Sequence, residues 1–276
     1  MRTWTYAKGH GTLNDFVIVN DRQALFNPTS DDVRFLCDRR RGVGGDGLLR
    51  VTKAERHPEW TGPRDLWFMD YRNADGSIAE MCGNGVRVFV RYLLDEDLVS
   101  GDHVDVATRA GLVHARVERD GSITVTLGRP RRDSEPATLD ASGQTWTADV
   151  VDVGNPHAVV WLDAPDDLDR LEFCRAPVLP ADRFPAGGNV EFVWPLGPDR
   201  LRLRVWERGV GETCSCGTGV VAAAFDHLAR QGQADGTVTV STPGGDLTVR
   251  LDEEGRAHLT GPAVIVARGQ VTLPSG

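Results

Sequence analysis

Residues 205–224, VWERGVGETCSCGTGVVAAA, carry a thiol out of a strand-like run and into a helix-like one. Residues 201–206 (LRLRVW) alternate apolar and charged side chains, as a half-buried strand does. Residues 217–228 (GTGVVAAAFDHL) are small and apolar, as a buried helix is. Cys216 therefore falls at or just before a helix start, where unpaired backbone N–H groups and the positive end of the helix dipole favour anions. A thiol so placed typically has its pKa lowered from about 8.5 to roughly 3.5–7.5, which makes Cys216 a candidate base.

The chain says nearly the same thing twice. Residues 66–92, LWFMDYRNADGSIAEMCGNGVRVFVRY, again pass from a strand-like run through a polar stretch to Cys-Gly-x-Gly-Val and an apolar helix-like segment. Cys82 and Cys216 are 216 − 82 = 134 residues apart, and the same offset carries Asn73 onto Glu207, Thr108 onto Thr242 and Gly111 onto Gly245. A duplication covering most of the chain follows. Two related lobes joined about a pseudo-two-fold axis would bring Cys82 and Cys216 to one cleft.

Composition sets the outer bounds. At 276 residues the chain suits two domains of ordinary size. The formal charge of −9 and the lack of a basic stripe argue against nucleic acid or an anionic membrane as partner. The start, MRTWTYAKGHG, has no apolar core of signal-peptide length, and no apolar run approaches the ~18–20 residues of a membrane span, so a soluble cytoplasmic protein is expected. Five cysteines (37, 82, 174, 214 and 216) form an odd set without disulfide-framework spacing, which points to reduced thiols. Lys8 and Lys53 are the only lysines, so an aldimine-forming cofactor has few places to attach.

Along the chain, Asn14 closes a polar loop and reads first as a turn former, then as a ligand group. Residues 29–40 suit a helix capped by Thr29 or Ser30, with Cys37 on its core face. GVGGDG at 42–47 satisfies G-x-G-x-x-G literally. A dinucleotide site needs a strand before that motif and a helix after it, whereas RRR precedes and LLRVTKA follows, so a tight glycine loop leading into a strand is the better account. Hairpin turns are expected at 110–111 and 120–121, and the polar, proline-bearing residues 129–142 suit the crossing between lobes.

Two thiols at two helix N-termini suit proton removal from one face of a carbon and delivery to the other, as in inverting the α-carbon of an amino acid. Backbone N–H groups at Gly83, Asn84, Gly217 and Thr218 would hold the α-carboxylate between two positive helix ends. Taken alone, either cysteine reads as a small core residue; the repeat is what favours catalysis. Cys214 and Cys216 form C-x-C, but no second pair or histidine cluster completes a metal site, and Glu80 stands where lobe one would need the matching thiol. His10 and His157, judged on spacing, read as satisfied loop histidines.

The motifs HGTLNDF, GVGGDGLL, NADGSIAEMCGNGVR, GNPHAVV, GGNVEFV and ERGVGETCSCGTG stand end to end in the order of a known family. The chain resembles the diaminopimelate epimerases, cofactor-independent enzymes that interconvert LL- and meso-2,6-diaminopimelate in lysine and peptidoglycan precursor synthesis. The resemblance implies an α/β (α+β) fold of two pseudo-symmetric lobes, each a mixed sheet wrapped around a central helix, with the active site in the inter-lobe cleft. The lobes would comprise residues 1–128 with 264–276, and 129–263, the last strand returning to the first lobe. It implies Cys82 and Cys216 as the acid/base pair, with His157 and Glu207 setting their pKa values. The α-carboxylate cradle would be Gly83, Asn84, Gly217 and Thr218. Asn14, Asn73, Asn155, Asn189, Glu207 and Arg208 would hold the rest of the substrate. It also implies no cofactor, no metal and a homodimer. Two departures stand out: Gly47 replaces a glutamine of some members, and Cys214 is an extra thiol. Rival readings are a racemase of another amino acid such as histidine or hydroxyproline, a silent binding protein, and a thiol redox protein, which lacks the C-x-x-C it needs.

Overall fold

A computed structural model describes residues 2–274; Met1, Ser275 and Gly276, which close the expected first-lobe segments, lie outside them. The chain runs β1 (Arg2–Gly11), β2 (Asn14–Asn20), α1 (Ser30–Cys37), β3 (Gly47–Lys53), β4 (Trp67–Asn73), α2 (Gly83–Asp95), β5 (His103–Thr108), β6 (Gly111–Val117) and β7 (Ile123–Thr126). It continues through β8 (Arg131–Arg132), β9 (Ala137–Ala141), β10 (Gln144–Asp152), β11 (Pro156–Trp161), α3 (Pro165–Arg170), β12 (Asn189–Gly197), β13 (Arg200–Glu207), β14 (Gly211–Thr213) and α4 (Gly217–Arg230). The closing strands are β15 (Gly236–Thr242), β16 (Gly245–Leu251), β17 (Ala257–Gly261) and β18 (Val264–Leu273). The chain divides into two compact units, one of residues up to 125 together with those from 261 on, the other Thr126–Thr260.

In the first unit β1 pairs antiparallel with β18 on one side and β2 on the other. From β2 the sheet runs parallel to β3, antiparallel to β4, parallel to β5 and antiparallel to β6 and β7. The second unit repeats the sequence of directions. Antiparallel β10 and β11 are followed by β12 parallel to β11, β13 antiparallel, β15 parallel, then β16 and β17 antiparallel. The duplication inferred from the 134-residue offset is thus a duplication of topology, with α2 and α4 in equivalent places between the fourth and fifth strands of each order.

Both helices are central because each carries a long apolar run that has to be buried. Val86, Val88, Phe89, Val90 and Leu93 of α2 are fully buried, as are Val220, Val221 and the alanines 222–224 of α4. Helix α2 packs against β1 to β6 and β18, and α4 against β10 to β13, β15 and β16. Each fully buried Val, Leu or Phe contributes roughly 1.5–3 kcal/mol of transfer free energy, which is what holds each sheet around its helix.

Residues 129–142, expected as a crossing, are instead built into the second unit. Arg131 and Arg132 pair with Asp152 and Val151, and β9 pairs with β10 from Ala137 to Ala141. Pro130 and Pro136 sit just outside these short strands, where the missing N–H removes no ladder bond.

The first unit also contains an ionic cluster. Asp70 of β4 is fully buried and is met by three guanidinium groups: Arg50 at 3.2 Å, Arg72 at 3.2 Å and Arg109 at 2.8 Å. Arg50 is paired in turn with buried Asp21 at 2.7 Å, and Arg109 with Glu59 at 2.9 Å.

Candidate active site

Cys82 is the N-cap of α2 and Cys216 the N-cap of α4, both with extended backbone, and neither helix has an acid in its first turn. Extended φ/ψ at the cap turns the chain into the helix and leaves the first N–H groups without intrahelical acceptors. Gly83 and Gly217 are the first helical residues, so the peptide N–H groups proposed for the α-carboxylate belong to the two helix starts.

In the first unit the structure gathers Cys82, Asn84 and Asn14. Cys82 Sγ accepts from the Gly85 N–H at 3.4 Å, a capping contact, and lies 3.7 Å from Asn14 Oδ1. The buried Asn84 donates its Nδ2 to the same Asn14 oxygen at 3.2 Å. Asn73 ends β4 opposite Gly47, its amide held by the Tyr71 hydroxyl at 2.8 Å and by Ser77 Oγ at 3.0 Å. Gly47 has a steric reason: a Cβ there would lie 2.7 Å from the Arg72 carbonyl oxygen and the Tyr71 ring. His10 takes the Leu13 N–H on Nδ1 at 3.4 Å and Cys37 lies in the core, where burial pushes its thiol up to about 12.

In the second unit a polar chain runs back from the cysteine. Cys216 Sγ lies 3.5 Å from Thr218 Oγ1, which accepts from Asn155 Nδ2 at 3.3 Å. Asn155 Oδ1 faces His157 Nε2 at 3.1 Å, and His157 Nδ1 meets Glu191 Oε1 at 2.7 Å with both side chains fully buried. Asn189, at the head of β12, accepts the Arg208 backbone N–H at 2.9 Å, and the Arg208 guanidinium donates to the Ala186 carbonyl at 3.2 Å. Glu207 accepts from the Thr213 hydroxyl.

The pKa expectation made from the helix start is reversed at Cys216. Burial is the largest cause and lifts the thiol well above its ordinary value; the Glu207 and Glu191 carboxylates add to the lift, and the Thr218 hydroxyl and Gly219 N–H oppose it without prevailing. A helix end is a partial charge of about half a unit, too little against desolvation and two full negative charges. Cys216 therefore stands as the thiol.

Glu191 was missed in the sequence reading. Its signal was a single charged residue inside the apolar run VEFV of a strand, which needs a buried partner. The same carboxylate explains Gly219: a Cβ there would lie 2.5 Å from Glu191 Oε1. Gly219→Ala is expected to push Glu191 off His157 and destabilise the second unit by about 1–3 kcal/mol, seen as a lower thermal unfolding midpoint. An unchanged midpoint would mean that the carboxylate moves aside freely.

The fold, two units of mixed sheet each curled around a central helix, belongs to a class of two-unit α+β proteins that includes a solved phenazine biosynthesis protein of the PhzF family from Bacillus anthracis. That structure superposes with a TM-score of 0.71 over 99% of this chain and 100% of its own, at 15% identity, a likeness of fold alone. Sequence comparison narrows the class. The model of the diaminopimelate epimerase family matches residues 6–132 and 150–272. A diaminopimelate epimerase of Corynebacterium glutamicum is 46% identical over 98% of this chain and 99% of its own length. One of Thermobifida fusca is 47% identical over 97% and 98%. The chain belongs to the diaminopimelate epimerase family.

Proposed function

We propose that the protein is an isomerase that converts LL-2,6-diaminopimelate to meso-2,6-diaminopimelate without a cofactor, Cys82 and Cys216 acting on opposite faces of one α-carbon. The observation that carries the reading is a cysteine capping the central helix of each unit in a chain of this family. Cys216, whose surroundings are anionic, enters as the thiol. Cys82 is influenced instead by Arg87, a fully buried cation on α2, and its ionised fraction serves as the base. The thiolate takes the α-proton, so that the C–H bond breaks as an S–H bond forms, and the Cys216 thiol delivers its own proton to the other face. The charge of the pair is conserved, and the roles exchange for the return reaction.

The backbone N–H groups of Gly83, Asn84, Gly217 and Thr218 receive the α-carboxylate. Arg208 pairs with the remote carboxylate, and Asn14, Asn73, Asn155, Asn189 and Glu207 complete recognition of the remote end. This set favours diaminopimelate over a one-headed amino acid, which would leave these polar groups unpaired. His157 acts through Asn155 and Thr218, and Glu207 through its charge on Cys216. No helix among the described residues is long and apolar enough to cross a membrane, in keeping with a cytoplasmic enzyme of lysine and peptidoglycan precursor synthesis. A homodimer is proposed from the family, and sedimentation checks it. The test of function is proton NMR of LL-diaminopimelate in D2O with reduced protein. Loss of the α-proton signal with appearance of the meso isomer is expected; no exchange would exclude the reading.

A further inference from the structure

We infer that Asp46, in the glycine loop 42–47, is a positioning residue that fixes the orientation of the Asn14 amide, so that its carbonyl oxygen rather than its NH2 group faces Cys82. The contact stands on geometry; its meaning for catalysis rests on the two-thiol reading above.

The two ends of an amide side chain are alike in shape and opposite in hydrogen bonding, so orientation follows from the neighbours. Asp46 Oδ2 lies 2.9 Å from Asn14 Nδ2. An ionised carboxylate only accepts, so the NH2 group must face Asp46 and the oxygen must face the other way, toward Cys82 Sγ at 3.7 Å and Asn84 Nδ2 at 3.2 Å. Asp46 itself is pinned. Its Oδ1 accepts from Arg39 at 2.8 Å, its Oδ2 also accepts the Asp15 N–H at 3.2 Å, its own N–H donates to the Asp15 carbonyl at 2.8 Å, and its carbonyl accepts the Ala74 N–H at 3.1 Å. Arg39 is anchored by two bonds to Asp15, at 2.7 and 2.8 Å, and Lys8 pairs with Asp15 at 2.7 Å.

The consequence is electrostatic. A carbonyl oxygen accepts from the S–H form of Cys82 and repels the thiolate, whereas a reversed amide would donate to the thiolate. The buried Arg87 cation of α2 acts on Cys82, and the Gly85 N–H also favours the anion. Asn14, held by Asp46, is the counterweight. The glycine loop, which the fold alone would class as a turn, thus reaches the reacting sulfur through one amide.

The test is alkylation by iodoacetamide of the reduced, full-length protein across pH, with Cys82 followed by peptide-resolved mass spectrometry and the exposed Cys174 and Cys214 as internal references. Asp46→Ala frees the Asn14 amide to turn. Asp46→Asn keeps the volume but offers one acceptor oxygen, which the Arg39 cation claims, leaving an NH2 group toward Asn14. Both variants are expected to alkylate Cys82 roughly two- to tenfold faster at pH 7, the ratio set by the net worth of one hydrogen bond, and to converge with the wild type at high pH, where the thiol is ionised in all three. Wild-type rates in both variants, or an acceleration of equal size at every pH, as a loosened loop would give, overturns the assignment. The readout needs no substrate. The expected alkylation shift in a protein that does not exchange diaminopimelate would overturn the proposed function and leave the role of Asp46 standing.

Discussion

Alanine at either Cys82 or Cys216 is expected to lower α-proton exchange on diaminopimelate by a factor of about 10²–10⁴, the usual worth of a positioned acid or base. The double variant is expected to lose little more than either single one, because the two groups act as one unit. The fold offers a control for trivial explanations. Cys82 caps α2 through the Gly85 N–H, so Cys82→Ala sacrifices a cap worth about 0.5–2 kcal/mol as well as the thiol. Cys82→Ser restores a preferred capping oxygen without an ionisable thiol, and its stability should recover while its activity does not. Recovery of both would make Cys82 a structural cap. Wild-type exchange in the Cys216→Ala variant would exclude the two-thiol mechanism outright.

The largest loss of stability is expected from Asp70→Ala. Three guanidinium groups converge on this fully buried carboxylate, and its removal leaves cations in a desolvated site without their common anion. Breaking a buried ionic cluster in this way costs about 3–5 kcal/mol, measurable as a lower denaturant midpoint for the first unit. The pH dependence has a definite sign. Burial alone would raise the Asp70 pKa and is the largest single influence, but Arg72 and then Arg109 together outweigh it, and the carboxyl is held below its ordinary value of 3.8. A depressed carboxyl contributes stability in full above the unfolded-state pKa and loses it as pH falls through the lower folded-state value. The wild type should therefore lose this contribution only below about pH 4, and the difference between wild type and variant should shrink there. A constant difference down to pH 2 would show that charge on Asp70 is not what the site requires.

The alternation in LRLRVW, the small apolar run behind Cys216 and the 134-residue echo at Cys82 are local or purely comparative signals. They specify strand, helix start and duplication without reference to distant residues. Hence the two caps, the central helices and the order of motifs were legible, and with them the family.

Other features depend on residues far apart in the chain. Glu191 lies 34 residues from His157 and 25 from Cys216 (216 − 191), and only the curl of the second sheet around α4 sets its carboxylate under that thiol. Asp46 lies 32 residues from Asn14, and Asp70 lies 20 and 39 residues from Arg50 and Arg109. Residues 129–142 read as linker because short strands with alternating polar faces carry too weak a pattern to outvote two prolines. By itself the sequence determined which groups are present, which stand at helix starts and that the chain is built twice. Tertiary structure alone decided their protonation and orientation, because burial, opposing charge and hydrogen-bond partners come from other segments: Cys216 is driven toward the thiol against its own helix dipole, and Asn14 is turned by a carboxylate that no local pattern connects to it.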